Sequence, residues 1–215
     1  NLSEVTGKYN KSLKKYIRLR KKYLGLKQYH TYDRFLELAH SNKEYTYEEA
    51  KELFFHSISQ FPQDFQDKAH EVLRDGFVDV MEKVGKRTGA YSSSVANLHP
   101  FILLNFDHTL DSVFTVAHEA GHSIHSMYAT QTQPTMLQDY TIFVAEIAST
   151  FNEHTLLDYF LSLPDATKEE KIMVIQKAID EIMSTFYRQT LFAEYEYLAN
   201  HEVAKGNPIN HQVLS

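Results

Sequence analysis

His118, Glu119 and His122 stand in the order His-Glu-Ala-Gly-His. On an α-helix, positions i and i+4 lie about 40° apart around the axis and one turn apart along it. Two imidazoles so placed can converge on one divalent ion at about 2.0–2.1 Å each, as tetrahedral Zn²⁺ requires. Glu119 falls about 100° further round, beside such an ion rather than on it. From there its carboxylate can take a proton from a water that the ion has acidified. With 12 His in 215 residues, this pattern arises by chance roughly 0.05 times in such a chain. Val113, Phe114, Val116, Ala117, Ile124 and Met127 surround it, so the spacing predicts a mostly buried helix.

A catalytic zinc needs a third protein ligand and an open position. His125 follows His122 by three residues, but it lies two turns from His118, too far along one helix for all three to share an ion. A longer zinc-protease pattern, with its third His six residues past the second, fails because Tyr128 stands there. Glu146 is the better candidate. It sits within Phe143-Val144-Ala145-Glu146-Ile147-Ala148, where an acid is costly unless it meets a cation. Ser149 and Glu153, three and seven residues on, share its helix face and can orient ligands from behind, for example by accepting a His N–H.

These side chains need two helices and a short β-element to position them. Apolar periodicity predicts helices over 3–24, from Thr46 to Pro62, and from Phe65 to about 83. Thr46 with Glu49 reads as a capping box. Residues 85–94 read as a loop, and 100–106 as a strand. Helices resume over 110–129, 138–162 and 167–205; in the last, Ile172, Ile175, Ile179, Ile182 and Phe186 form a 3-4-3-4 seam. The fold class expected is mainly α, with a small β-element before the His118 helix. Residues 1–83 read as the helical N-terminal part and 84–215 as the zinc-binding core, in one continuous domain.

The composition agrees. A net charge of −6 gives no reason to expect nucleic acid, and zero Cys removes disulfides, Cys-type zinc sites and a Cys nucleophile. It also fits a reducing compartment, so the location expected is cytoplasmic. No run reaches the 18 or more apolar residues of a membrane span. From Lys8 to Lys27 there are nine basic and no acidic side chains, read as a solvated helix face that answers an acidic remainder.

The segments His118-Glu119-Ala120-Gly121-His122-Ser123-Ile124-His125 and Phe143 through Glu153 resemble the zinc core of the thimet oligopeptidase (M3) family, in its oligoendopeptidase F branch. Gly85 through Ser92, Pro100 through Asn105, Asp111 through Thr115 and Tyr187 through Glu194 extend the likeness over about 80–205. The resemblance implies a zincin-like core of a helical oligopeptidase. It implies one Zn²⁺ held by His118, His122 and Glu146, with Glu119 as general base and short peptides as substrates. Members of that family are longer, so the chain reads as a catalytic-core fragment, truncated at both ends.

Further roles follow from local chemistry. The strand at 100–106 could pair with a peptide backbone, and Gly89-Ala90 could let the substrate approach closely. His125 reads as a residue behind the ligands. Two rivals stand against the peptidase reading. One is a non-catalytic zinc-stabilised helical module or inactive fragment. The other is a ferritin-like di-iron protein built on Glu37–His40 and Glu119–His122.

Overall fold

The computed structural model describes residues 2–95 and 98–211, with side chains given outside 2, 3 and 143. It divides into two compact units: Ser41–Ala166 form one, and the segments up to His40 and from Thr167 form the other.

The unit of residues 41–166 carries the candidate chemistry. Its helices are α2 (Tyr47–Ser57), α3 (Gln63–Val72), α4 (Leu110–Thr132) and α5 (Ile142–Ser162). Its strands are β1 (Val78–Met81), β2 (Tyr91–Ser93) and β3 (Phe101–Phe106). Thr46 caps α2 as expected: its side chain accepts from the Glu49 amide at 3.1 Å while Glu49 accepts from the Thr46 amide at 2.7 Å. The helix expected to run on to 83 ends at Val72 instead. Gly76 takes φ +87°, a conformation that a helix does not contain, and Val78-Asp79-Val80-Met81 then alternates into β1. The segment expected as a loop likewise closes into β2.

The sheet order is β1-β3-β2, with β1 parallel and β2 antiparallel to β3. The register sets Val78 opposite Ile102, and Ser92 opposite Ile102 on the other side. β3 is therefore the central strand. Among the described residues β2 covers only Phe101–Leu103 of it, so that half is paired on both sides, while Leu104–Phe106 have no strand on the β2 side; the outer edges of the sheet belong to β1 and β2. Ile102, Leu104 and Phe106 turn inward and are nearly inaccessible, whereas Phe101 is half exposed. They join Val113, Phe114, Val116 and Ala117 of α4, with Phe54, Ala69 and Val72 from α2 and α3, in one buried core. Asp107 shapes the turn into α4 by accepting from the hydroxyls of Thr109 and Ser112, both at 2.6 Å.

The other unit contains α1 (Leu2–Tyr23), a 3-10 turn over Thr31–Phe35, α6 (Lys168–Glu181), a π-helical segment over Ile182–Tyr187 and α7 (Arg188–Ala204). Thr167 and Glu170 form a capping box at the start of α6. The isoleucine seam is only partly used: Ile172, Ile179 and Phe186 are part-buried, while Ile175 and Ile182 are about half exposed. The fully buried side chain of α6 is Val174, outside the seam. Arg20 is the buried hub. Its guanidinium donates to the Tyr29 and Tyr16 hydroxyls and to the carbonyls of Asp33, Arg34 and Leu36. The remaining basic side chains of α1 lie largely on its exposed surface. Among the described residues, no helix is long and apolar enough to cross a membrane.

Candidate metal centre

α4 is helical through the whole His-Glu-Ala-Gly-His segment, so His118 and His122 stack one turn apart, rings 4.8 Å between centroids and nearly perpendicular. α5 crosses α4 and brings Glu146 to the pair. His118 Nε2 and His122 Nε2 lie 3.1 Å apart, and Glu146 Oε2 lies 3.4 and 3.5 Å from them. Two ligands at 2.0–2.1 Å on a tetrahedral ion are separated by roughly 3.3–3.4 Å. The triangle of donor atoms thus has the dimensions that a tetrahedral Zn²⁺ calls for. Among the described residues this is the one group of three or more His, Asp and Glu side chains with donors so close together. Glu37 and His40, by contrast, are exposed and pair with each other.

Two members of the triangle, His118 and Glu146, are held by side chains of α5. His118 Nδ1 meets Glu153 Oε1 at 2.6 Å, and Ser149 Oγ donates to Glu146 Oε2 at 2.7 Å. Ser149 is fully buried and Glu153 nearly so. Both side chains therefore sit behind the donors, where the sequence spacing expects them. Burial acts to lower the His118 pKa, but the hydrogen bond and charge of Glu153, then the charges of Glu119 and Glu146, outweigh it and hold it above the ordinary value. His122 goes the other way: burial and then the neighbouring His118 push it down.

Glu119 is 5% exposed, and its Oε2 is buried without a hydrogen-bond partner. Burial drives its pKa up to about 7, against the attraction of His118. A backbone hydrogen bond from Ser92 in β2 reaches its carboxylate. The Ser92 hydroxyl also meets that of the buried Ser123 at 2.8 Å, tying β2 to α4. Ser92 and Ser123 are site neighbours that the sequence reading missed. Ser123 follows Glu119 by four residues, a spacing that hints at a shared face; Ser92 gave no signal in its polar loop.

His125 lies outside the donor triangle. It stacks on Tyr140 at 3.9 Å with its buried Nδ1 unpartnered, and burial lowers its pKa. The Tyr140 hydroxyl in turn donates to the His122 carbonyl at 3.4 Å. Gly89 and Ala90 line a cleft of about 250 Å³ with Asn105, Asp107, Asp111 and Thr115. The lining stops at Thr115, one turn before Glu119 on α4, and includes none of the three donors. Asn105 Nδ2 fixes this loop by donating to the carbonyls of Arg87 at 2.9 Å and Gly89 at 2.8 Å.

The sequence profile of peptidase family M3 matches residues 1–215. The chain belongs to peptidase family M3. Among curated M3 relatives, oligopeptidase PepF of Bacillus subtilis (strain 168) is 37% identical over 216 residues, with 100% of this chain and 32% of PepF covered. Oligoendopeptidase F homolog of Lactococcus lactis subsp. lactis (strain IL1403) is 34% identical, with 100% and 35% covered. The chain thus spans about a third of the length of the curated relatives it matches. A crystal structure of a provisionally named peptidase from Chlamydophila abortus superposes with a TM-score of 0.85 at 40% identity, covering 99% of this chain and 36% of that one. The mainly helical M3 fold with its small sheet is therefore the one the sequence leads to.

Proposed function

We propose that this chain is the zinc-binding core of an M3 endopeptidase that hydrolyses short oligopeptides. The observation that carries the reading is the donor triangle, with edges of 3.1, 3.4 and 3.5 Å. His118, His122 and Glu146 would hold the ion: two imidazoles and one carboxylate are a donor set that zinc accepts in peptidases. A bound zinc supplies Lewis acidity to the scissile carbonyl and lowers the pKa of the attacking water.

The chain's own residues do the rest. Glu119 Oε2 is the proton acceptor, because it is buried, has no hydrogen-bond partner and stands on α4 beside His118, so it can take a proton and return it to the leaving amine. The Ser92 backbone steadies the carboxylate and leaves Oε2 free. Glu153 sets the orientation of His118, and Ser149 that of Glu146, so neither ligand must reorganise on binding. The peptide backbone adds to the outer edge of β2 rather than to the Phe101–Leu103 half of β3, which is paired on both sides. Main-chain pairing there gives affinity with little demand on side chains, which suits varied short peptides. Gly89 and Ala90, at the entry to β2, leave room for the approach.

The test is hydrolysis of an internally quenched peptide by the intact protein and its Glu119→Gln variant. The reading expects a loss of at least about 10²-fold in kcat, with metal content unchanged. A variant that keeps full activity overturns the role of Glu119.

A further inference from the structure

Gly121 stands between the two histidines of the motif and contributes no donor. A glycine in mid-helix is also the weaker helix former than alanine. Its surroundings give the reason for it. A Cβ built on Gly121 would lie 2.8 Å from the Ala148 carbonyl oxygen, 2.8 Å from the Ser149 Cα and 3.0 Å from Asn152 Nδ2. The first two are backbone atoms of α5, which no side-chain rotation can move. α4 and α5 therefore touch backbone to backbone at this glycine.

We propose that Gly121 is a positioning residue: by admitting the α5 backbone it sets the distance across which Glu146 reaches the His118–His122 pair. This rests on the zinc reading above. The contact lies one residue from His122, three from His118, and two to three from Glu146, so a shift there reaches the donors with little attenuation. Moving the 2.8 Å contacts to an ordinary 3.4 Å needs about 0.6 Å. Metal–ligand distances tolerate only about ±0.2 Å. The Glu146 carboxylate accepts from Ser149 Oγ at 2.7 Å, and Ser149 Cα is one of the atoms displaced, so the displacement carries both residues away from the pair together.

The experiment measures Zn²⁺ affinity of the intact protein by competition with a chromophoric chelator, and the visible spectrum of its Co²⁺ form, for wild type, Gly121→Ala and Asn152→Ala. The expected result is at least a tenfold loss of Zn²⁺ affinity in Gly121→Ala, with an altered Co²⁺ spectrum and an unchanged far-ultraviolet circular dichroism spectrum. Asn152→Ala, which removes the one side-chain contact and leaves the backbone contacts, keeps its affinity within about threefold. A Gly121→Ala protein that binds zinc as wild type does, or that fails to fold, overturns the proposal; so does a tenfold loss in Asn152→Ala. A wild-type protein that binds no zinc overturns the zinc reading itself, a result distinct from any of these.

Discussion

The carboxylate of Glu153 lies 2.6 Å from Nδ1 of His118, across the crossing of α4 and α5. A buried acid on one helix thus fixes the ring orientation of a histidine on the other, turning Nε2 toward Glu146 and His122. Replacing that carboxylate with a neutral amide leaves an acceptor for the ring N–H but removes the negative charge that raises the ring's basicity as a metal ligand. Glu153→Gln is expected to lower zinc affinity by about 10–100-fold while the fold persists. Competition with a chelator measures it, and an unchanged affinity contradicts the assignment.

Ser149→Ala acts on the other arm of the triangle. The hydroxyl is fully buried and donates to Glu146 at 2.7 Å. Without it the carboxylate gains rotational freedom, and zinc affinity is expected to fall by roughly tenfold. Because Ser149 and Glu153 lie one helix turn apart and their partners His118 and Glu146 are 3.4 Å from each other, the double variant should depart from the sum of the two free energies by about 0.5–3 kcal/mol. Isothermal titration of the single and double variants checks this.

Glu119 couples the metal-free protein to pH. Its pKa is 4.5 in the unfolded chain and about 7 in the folded one, chiefly through burial. Between those values the folded chain holds a proton that the unfolded chain has released, so stability falls as the pH rises. The Glu119 contribution is complete below pH 4.5 and lost by about pH 7, on the order of 3 kcal/mol. In Glu119→Gln that part of the decline disappears. Urea unfolding of the metal-free wild type and variant at pH 4.5, 6 and 7.5 reads the difference; parallel curves contradict it.

How much of this was legible in the sequence depends on distance along the chain. His118, Glu119 and His122 could be read because helix geometry alone fixes their relation. Ser149 and Glu153 followed because positions +3 and +7 share a helix face with Glu146. Glu146 itself was picked as an acid among apolar residues, yet its side chain is half exposed, so its place at the pair comes from the crossing of α4 and α5 and not from burial. Gly121 and Ser92 could not be read this way: what they meet lies on another element, and residue type alone does not announce a backbone contact. β1 was hidden because Phe77 and Val80 also fit a helical period; Gly76, at φ +87°, was the deciding residue. The paired edges of β3 depended on two strands of only three and four residues, too short to leave a pattern.

Arg20 makes a prediction about the other unit. It is 1% exposed and satisfies three carbonyls and two hydroxyls within that unit. Arg20→Ala leaves these groups without their donor and is expected to cost on the order of 3 kcal/mol. Arg20→Lys recovers little, since one ammonium cannot replace a planar fork with several donors. Denaturant unfolding gives both values; a loss below about 1 kcal/mol in Arg20→Ala contradicts the role.

The central claim about the site is that His118, His122 and Glu146 hold one ion together. Elemental analysis of the intact protein, purified without added metal or chelator, tests it most directly alongside His118→Ala, His122→Ala and Glu146→Ala. The expected result is one zinc per wild-type chain and less than about a tenth of that in each variant. A wild-type chain without zinc, or three variants that all retain it, contradicts the account.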